Sequence, residues 1–386
     1  MRIVILTHPD WMASQSMPRY ARLLREGLLS RGHDVSCWTC KPSFFSGIPF
    51  LGGEFKKWQR YADQFLVYPS LLESAVSAEP LETLFVVSDR ALGMWIPIIA
   101  SRPHVVHCHD LLAIRSARGE FPENKTSWTG RIYQELIQEG AATADNYISV
   151  SEQTRSDLHR SLGRIPSRSE VLYNPLDPLF TSVGEFGTST LLGERIPNAE
   201  HGGILHVGGN QWYKNRMGVL AIYEAYCAQS SHPLPLWMIG SPPTPALLKK
   251  ARTIKAPGSV HFFTDFTDKE IHIAYQLASL LLFPSLEEGF GWPIAEAMAS
   301  GCPVITTEKA PMSEVGADAV RYVARLNAGD NLRSWAMKSA ASVVELLSMD
   351  PTQKEKIKDR GIARAQKFDL TTFLDRLEGI YAEVLG

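Results

Sequence analysis

Short apolar runs alternate with amphipathic stretches along the whole chain. Arg2 to Leu6 reads as a buried strand. A loop, Thr7 to Met17, leads to Pro18, which is predicted to open a helix. Tyr20, Leu23, Leu24 and Leu28 share one face of it, and Arg19, Arg22 and Arg25 lie elsewhere. Arg31-Gly32-His33 ends that helix, and Asp34 to Trp38 is a second strand. This β-α-β unit calls for a parallel sheet. Further strands are predicted at Leu84–Val87, His104–His107, Asn146–Val150 and Val171–Tyr173, with Ser151 able to cap the helix after the third of these. Polar residues, Gly and Pro then persist to about His201, which marks a domain boundary. The pattern restarts with strands at Gly203–Val207, Leu236–Ile239, Val260–Phe263, Leu280–Phe283 and Val304–Thr306. From Pro351 onward the chain reads as helix, and Leu370 to Leu385 is amphipathic.

One stretch combines these signals most tightly. Leu281 to Val304 reads LLFPSLEEGFGWPIAEAMASGCPV. An apolar run ends at Pro284-Ser285, and Glu287, Glu288 and Gly289-Phe290-Gly291 follow. Pro293 suits the first turn of a helix, Gly301 suits its left-handed end, and Pro303 stops its continuation. A strand, a glycine loop and a helix N-terminus joined this closely make a place for a phosphate. Glu288 falls in the loop and Glu296 about one turn inside the helix. The helix dipole favours a first-turn carboxylate by about 0.3–1 kcal/mol. As bare sequence, both glutamates also fit solvated positions at a helix start.

Length and composition narrow the picture. At 386 residues the chain exceeds what one core usually serves, so two domains are expected. The net charge of −2 argues against a general nucleic-acid binder. No apolar stretch is long enough to span a membrane, and the opening MRIVILTHPD reads as a strand and not as a signal peptide. Five scattered cysteines, Cys37, Cys40, Cys108, Cys227 and Cys302, fit a reducing compartment, so a cytoplasmic location is expected. Lys41 to Tyr68 is unusual, with Phe44, Phe45, Ile48, Phe50 and Leu51 beside Lys56, Lys57 and Arg60. Such a loop can rest peripherally on the inner, anionic face of a membrane, although packing against its own domain is the favoured reading.

Gly208, Gly240, Glu288 and Thr307 all lie just past predicted strand ends, where α/β sheets bind ligands. Gly208-Gly209-Asn210 is followed by Lys214, whose ammonium can meet a phosphate. Ionised glutamates accept hydrogen bonds from sugar diols. The combination points to a nucleotide-sugar site. His109 lies past the end of another strand, with Asp110 beside it to orient the ring. No G-x-G-x-x-G, P-loop, nucleophile elbow or metal-ligand cluster is present in the sequence.

These residues carry a family resemblance. Glu288 to Val304, continuing into Pro311-Met312-Ser313-Glu314-Val315, resembles the E-x7-E signature of the retaining GT-B glycosyltransferases of family four. Val207-Gly208 with Lys214-Asn215 resembles that family's strand–glycine–lysine element. Arg31 to Val35, His109-Asp110, Ser149 to Ser151 and Asn174 to Asp177 follow the family's order. The resemblance implies two Rossmann-like doubly wound domains facing a central cleft. It places an acceptor-side domain at 1–180, a linker at 181–200, a nucleotide-sugar domain at 201–368 and a helix at 369–386 that returns to the first domain. It implies a hexosyltransferase-type enzyme of polysaccharide biosynthesis that uses a nucleoside-diphosphate sugar and a hydroxyl acceptor, with no metal and no other cofactor. By the same resemblance Glu296 holds the ribose, Glu288 a donor-sugar hydroxyl, and Lys214 the diphosphate. Gly289, Phe290 and Gly291 offer backbone N–H groups, and His109 lies near the sugar on the acceptor side.

Two positions depart from the family pattern. Gln15-Ser16 stands where the family often has Gly-Gly, leaving the Ser16 hydroxyl as a donor. Gly209 stands where an Arg is common, leaving Arg216 as the nearby cation. The same residues also fit another GT-B nucleotide-sugar enzyme, such as an epimerase or an inverting transferase, or a non-catalytic nucleotide-sugar-binding subunit.

Overall fold

Runs of Val, Ile, Leu and Phe bounded by turn residues become strands covered on both faces, as parallel sheets require. Leu84–Val87, Leu236–Ile239 and Leu280–Phe283 are buried at every position. The computed structural model of the chain describes residues 1–11, 16–42, 60–181, 195–196, 199–255 and 257–386. Gln15 of the first loop, most of the 181–200 segment, and Phe44, Phe45, Ile48, Phe50, Leu51, Lys56 and Lys57 lie outside these residues. Among the described residues no helix is long and apolar enough to cross a membrane.

The chain forms two compact units. The first comprises Met1–Phe121, Lys125–Tyr173 and Phe373–Gly386. Its sheet holds β1 (Arg2–Thr7), β2 (Asp34–Thr39), β3 (Leu84–Val87), β4 (His104–Cys108), β5 (Asn146–Ser149) and β6 (Arg168–Val171). All pair in parallel, in the order β2-β1-β3-β4-β5-β6. Leu6, Phe85, Val106 and Tyr147 from the strands share a core with Trp95, Ile99 and Leu158 from the covering segments.

The second unit comprises Pro122–Asn124 and Asn174–Thr372. It holds β7 (Ile204–Val207), β8 (Leu236–Ile239), β9 (Val260–Phe263), β10 (Leu280–Phe283), β11 (Val304–Thr307) and β12 (Arg321–Val323). These also run parallel, in the order β12-β11-β10-β7-β8-β9. That is the strand order of a dinucleotide-binding sheet, and it reverses direction between β7 and β10. Ligands bind such sheets outside the carboxyl ends of the strands at this switch point. Both units are Rossmann-like α/β domains.

Several elements differ from the reading of the sequence. The first helix starts at Ser16, ahead of Pro18. β6 lies at Arg168–Val171 and not at Val171–Tyr173, because pairing with β5 through Arg168, Ser169 and Glu170 defines it more than apolar burial does. Edge strand β12 and the helix Leu332–Ser348 carry weak apolar signals and had no counterpart in the sequence reading. Asp63–Val67 is a helical turn that runs into the helix Tyr68–Ala78, so the Lys41–Tyr68 segment is not loop to its end. The two units divide between Tyr173 and Asn174, ahead of the segment read as a linker.

The helix Leu370–Leu385 buries Phe373, Leu374, Leu377, Ile380 and Tyr381. Leu374 lies over Gly27, where an added Cβ would stand 2.8 Å from the leucine methyls. Arg31 donates to Asp375 and Glu378, each at 2.6 Å, and His33 Nε2 meets Glu378 Oε1 at 2.5 Å. Burial works to raise the Glu378 carboxyl, but the hydrogen bonds from His33 and Arg31 outweigh it and hold the group below the usual 4.5. A carboxylate depressed in the folded state stabilises above its unfolded pKa, and loses that contribution as pH falls through its folded value. Glu378→Gln should therefore cost at most about 1 kcal/mol at pH 7, as partly exposed pairs do. In calorimetric melts from pH 7 to 3 the gap between wild type and variant should close below the ordinary carboxylate range. A gap that stays constant across that range contradicts the assignment.

Candidate active site

The loop after β10 is fixed by its backbone. Asn215 Nδ2 donates to the Pro284 carbonyl at 2.9 Å, and Thr307 Oγ1 donates to the Ser285 carbonyl at 2.7 Å. Leu286 N donates to the Tyr213 carbonyl at 2.7 Å, and Arg325 Nε donates to the Leu286 carbonyl at 3.1 Å. Three segments distant in sequence thus hold three consecutive residues. Asn215 can do this because it sits in the left-handed conformation (φ 50°) between a short turn, Trp212–Lys214, and the helix Arg216–Cys227. Its Oδ1 caps that helix at Gly218 N while Nδ2 reaches Pro284.

The pinned loop presents its carboxylates in different directions. Glu287 is buried and ion-pairs with Lys309 and with Arg325, the latter at 3.3 Å. Glu288 accepts from Lys214 Nζ with both oxygens, at 2.8 and 3.1 Å. The side chains of that pair are 15% and 8% exposed, so it is largely withdrawn from water. Lys214 Nζ also lies 5.0 Å from the Phe283 ring centre and 5.4 Å from that of Tyr213, within cation–π range. Gly291 begins the helix Trp292–Ala299 at φ 101°, with Pro293 in its first turn, and Gly301 follows the helix at φ 72°. The Phe290 side chain packs edge-on against Phe368 at 5.3 Å, and Trp292 Nε1 donates to the Pro175 carbonyl.

Glu296 is buried one turn inside the helix, and its Oε2 accepts from Tyr275 Oη at 3.0 Å. Tyr275 comes from the helix Asp268–Leu277 and is fully buried beside the Phe180 ring. Gly208 and Gly240 stand together at the ends of β7 and β8. Gly208 N donates to the Ile239 carbonyl, and Gly240, at φ 142°, comes so close that a Cβ would lie 2.2 Å from Gly208 O. No other residue fits there. The loops beyond them are cross-tied: Arg216 Nη1 donates to Asn210 Oδ1 at 2.5 Å and to the Ser241 carbonyl at 2.8 Å, while Asn210 Nδ2 donates to the Pro242 carbonyl. Arg216 is buried, and that burial pushes its guanidinium pKa down.

His109 and Ser16 belong to the first unit. Ser16 is exposed at the first position of its helix. His109, past the end of β4, is buried, with Nε2 3.1 Å from the Ser88 carbonyl and the Tyr20 ring edge-on at 4.4 Å. Burial lowers its pKa, and the nearby charge of Asp89 opposes that shift. The Nε2–H therefore donates to Ser88 from a neutral ring. The neighbouring Asp110 was expected to orient the ring, but its Oδ1 accepts from Leu112 N, and the carboxylate acting on His109 is Asp89. Asp89 in turn is paired with His8 at 2.9 Å. Tyr20 Oη meets His107 Nδ1 at 2.6 Å, and His107 Nε2 meets Tyr381 Oη at 3.0 Å. Burial drives His107 down to about 3, so that chain is uncharged.

The structure therefore brings Lys214 to Glu288, Asn210 to Arg216, and Gly208 to Gly240, all just past the carboxyl ends of neighbouring strands of one sheet. Tyr275, Arg325, Lys309 and Asp89 were missed from sequence, and Asn215 was read only as the residue after Lys214 in the lysine element. Asn215 and Asp89 had a legible signal, since each stands where a helix or strand ends. Tyr275 and Arg325 had none, because only the packed fold brings them to Glu296 and Leu286. Among the described residues no group of three or more His, Cys, Asp or Glu side chains is placed to hold a metal ion.

Comparison with known proteins gives two family matches. The Glycosyltransferase Family 4 model matches residues 17–179, and the Glycosyl transferases group 1 model matches residues 197–346. The O-antigen chain mannosyltransferase B of Escherichia coli is 27% identical over 250 residues, which are 62% of this chain and 60% of the relative. The O-antigen chain mannosyltransferase RfbU of Salmonella typhimurium is 38% identical over 88 residues, 23% of each chain. The match thus spans less than two thirds of the length of either relative. Anabaena Alr3699/HepE, solved in complex with UDP and glucose, superposes with a TM-score of 0.69 at 18% identity, covering 98% of both chains. The chain thus has the two Rossmann-like units of the GT-B fold class, and its two parts match the Glycosyltransferase Family 4 and Glycosyl transferases group 1 models.

Proposed function

We propose that this protein transfers a glycosyl unit from a nucleoside-diphosphate sugar to an acceptor hydroxyl with retention at the anomeric carbon, and that it does so without a metal. The observation that carries the reading is the Lys214–Glu288 pair at the switch point of the second sheet, in the loop that leads into the helix carrying buried Glu296. The names of the relatives support a hexose such as mannose as the donor sugar and a growing surface glycan as the acceptor. In this reading Lys214 neutralises the diphosphate, Glu288 holds a sugar hydroxyl and Glu296 the ribose. Gly208 and Gly240 let backbone come close to the phosphates. Arg216 and Asn210 shape the surrounding loops and lend positive potential, and the backbone of Gly289, Phe290 and Gly291 adds donors. Ser16 and neutral His109 keep, as part of this proposal, the roles that the sequence resemblance gives them.

In the transfer step the bond between the anomeric carbon and the departing phosphate oxygen breaks. A bond to the acceptor oxygen forms on the same face, and the acceptor proton passes to the departing phosphate. No side chain forms a covalent intermediate. Donors aimed at developing charge act most strongly where water is excluded. The half-buried, largely desolvated setting of the Lys214–Glu288 pair fits that role.

A thermal-shift panel of nucleotide sugars, including GDP-mannose and UDP-glucose, should pick out one donor, since a ligand of the native state alone raises stability by RT ln(1 + [L]/Kd). NMR of the product should show the donor's anomeric configuration, and inversion would refute the mechanism. At saturating donor, Lys214→Ala and Glu288→Ala should each lower the transfer rate by about 10²–10³. A near-wild-type rate in Lys214→Ala would remove its role. Tyr275→Phe should weaken nucleotide binding by about 1 kcal/mol, the size of one hydrogen bond. That loss should shrink for ribose-deoxygenated nucleotides. An equal loss for both would mean that Tyr275 acts on the fold and not through Glu296.

A further inference from the structure

Glu288 occupies the ammonium that a donor diphosphate would need. Both of its oxygens accept from Lys214 Nζ, at 2.8 and 3.1 Å. Among the described residues Lys214 is the only cation ion-paired with Glu288. Lys309 and Arg325 are committed to Glu287, and Arg216 donates through Nη1 to Asn210 and Ser241, while its buried Nε and Nη2 have no hydrogen-bond partner. The backbone cannot withdraw, because Pro284, Ser285 and Leu286 are each held by a neighbouring segment. A largely desolvated carboxylate stripped of its cation is strongly destabilised.

We infer that Glu288 and the donor phosphate are alternative partners of Lys214, and that their exchange makes the site favour a nucleotide sugar over the bare nucleoside diphosphate left after transfer. This inference rests on the donor reading above. When a nucleotide sugar binds, Lys214 passes to the phosphate and the sugar hydroxyls replace it as donors to Glu288. Every charged group keeps a partner. When only the nucleoside diphosphate is bound, nothing replaces Lys214 at Glu288. The carboxylate then either goes without donors or takes Lys214 back from the phosphate. Glu288 thus acts twice: it grips the sugar, and once the sugar has gone it competes the spent diphosphate out of the site.

Calorimetric titration of the full chain with the donor found in the panel, and with its nucleoside diphosphate, tests this. Glu288→Gln keeps the shape and removes the charge. It should bind the nucleoside diphosphate about 10- to 100-fold more tightly than wild type, the size of one charge-assisted hydrogen bond released. It should bind the nucleotide sugar no more tightly than wild type. In a Lys214→Met background the same substitution should no longer tighten diphosphate binding. If it still does so there, simple repulsion between Glu288 and phosphate explains the gain, and the exchange is wrong. If wild type binds the diphosphate and Glu288→Gln binds it no more tightly, the exchange also fails while the donor reading stands. If no form binds any nucleotide, the donor reading itself fails. Thermal melts of each variant confirm that it is folded before its titration is interpreted.

Discussion

A carboxylate removed from water must find donors, and in this protein that requirement organises the loop after β10. Glu287 and Glu288 are adjacent, and they meet different cations, Lys309 and Arg325 for the first and Lys214 for the second. Lys309 and Arg325 anchor one side of the loop through Glu287. Lys214 holds the other through Glu288. The backbone between β10 and the helix Trp292–Ala299 is thereby fixed at both edges before any ligand contact is considered. Preorganisation of this kind is what a site acting on developing charge needs, because it does not have to reorganise during the reaction.

The same requirement explains the neighbouring glycines and Asn215. Close approach of the β7 and β8 ends leaves no room for a Cβ at Gly240. Asn215 adopts a left-handed conformation that asparagine tolerates better than most residues, and so joins a helix cap to the Pro284 carbonyl. In the first unit the solution differs. There the buried imidazoles of His107 and His109 are kept neutral by burial and hydrogen-bonded to neutral groups, so no countercharge has to be buried with them.

Much of this was legible from residue order. The strands LLLF, LWMI and LFVV are short apolar runs with turn residues on both sides, and they form where the pattern puts them. Pro293 and Gly301 bracket the helix that carries Glu296, because proline's fixed φ suits the first turn and glycine adopts the left-handed end without strain. Strand β6 was misplaced and β12 missed for the converse reason. Their residues are chosen by partners across the sheet, and a single chain does not display those partners. Asp110 was read as the partner of His109 because it is next in sequence. Asp89 takes that place because parallel pairing of β3 with β4 sets two strand ends side by side.

The sequence by itself therefore determined the elements, the two-domain α/β class and the glutamate, lysine and glycine positions around which a site could form. These rest on local quantities: apolar periodicity, the fixed φ of proline and the freedom of glycine. Only the tertiary structure decided which of those groups meet. That Lys214 is held by Glu288, that Tyr275 serves Glu296, and that Arg216 ties loops together all depend on strand order and on the packing of distant segments. A side chain's charge is written in the chain, but the partner that balances it is set by the fold.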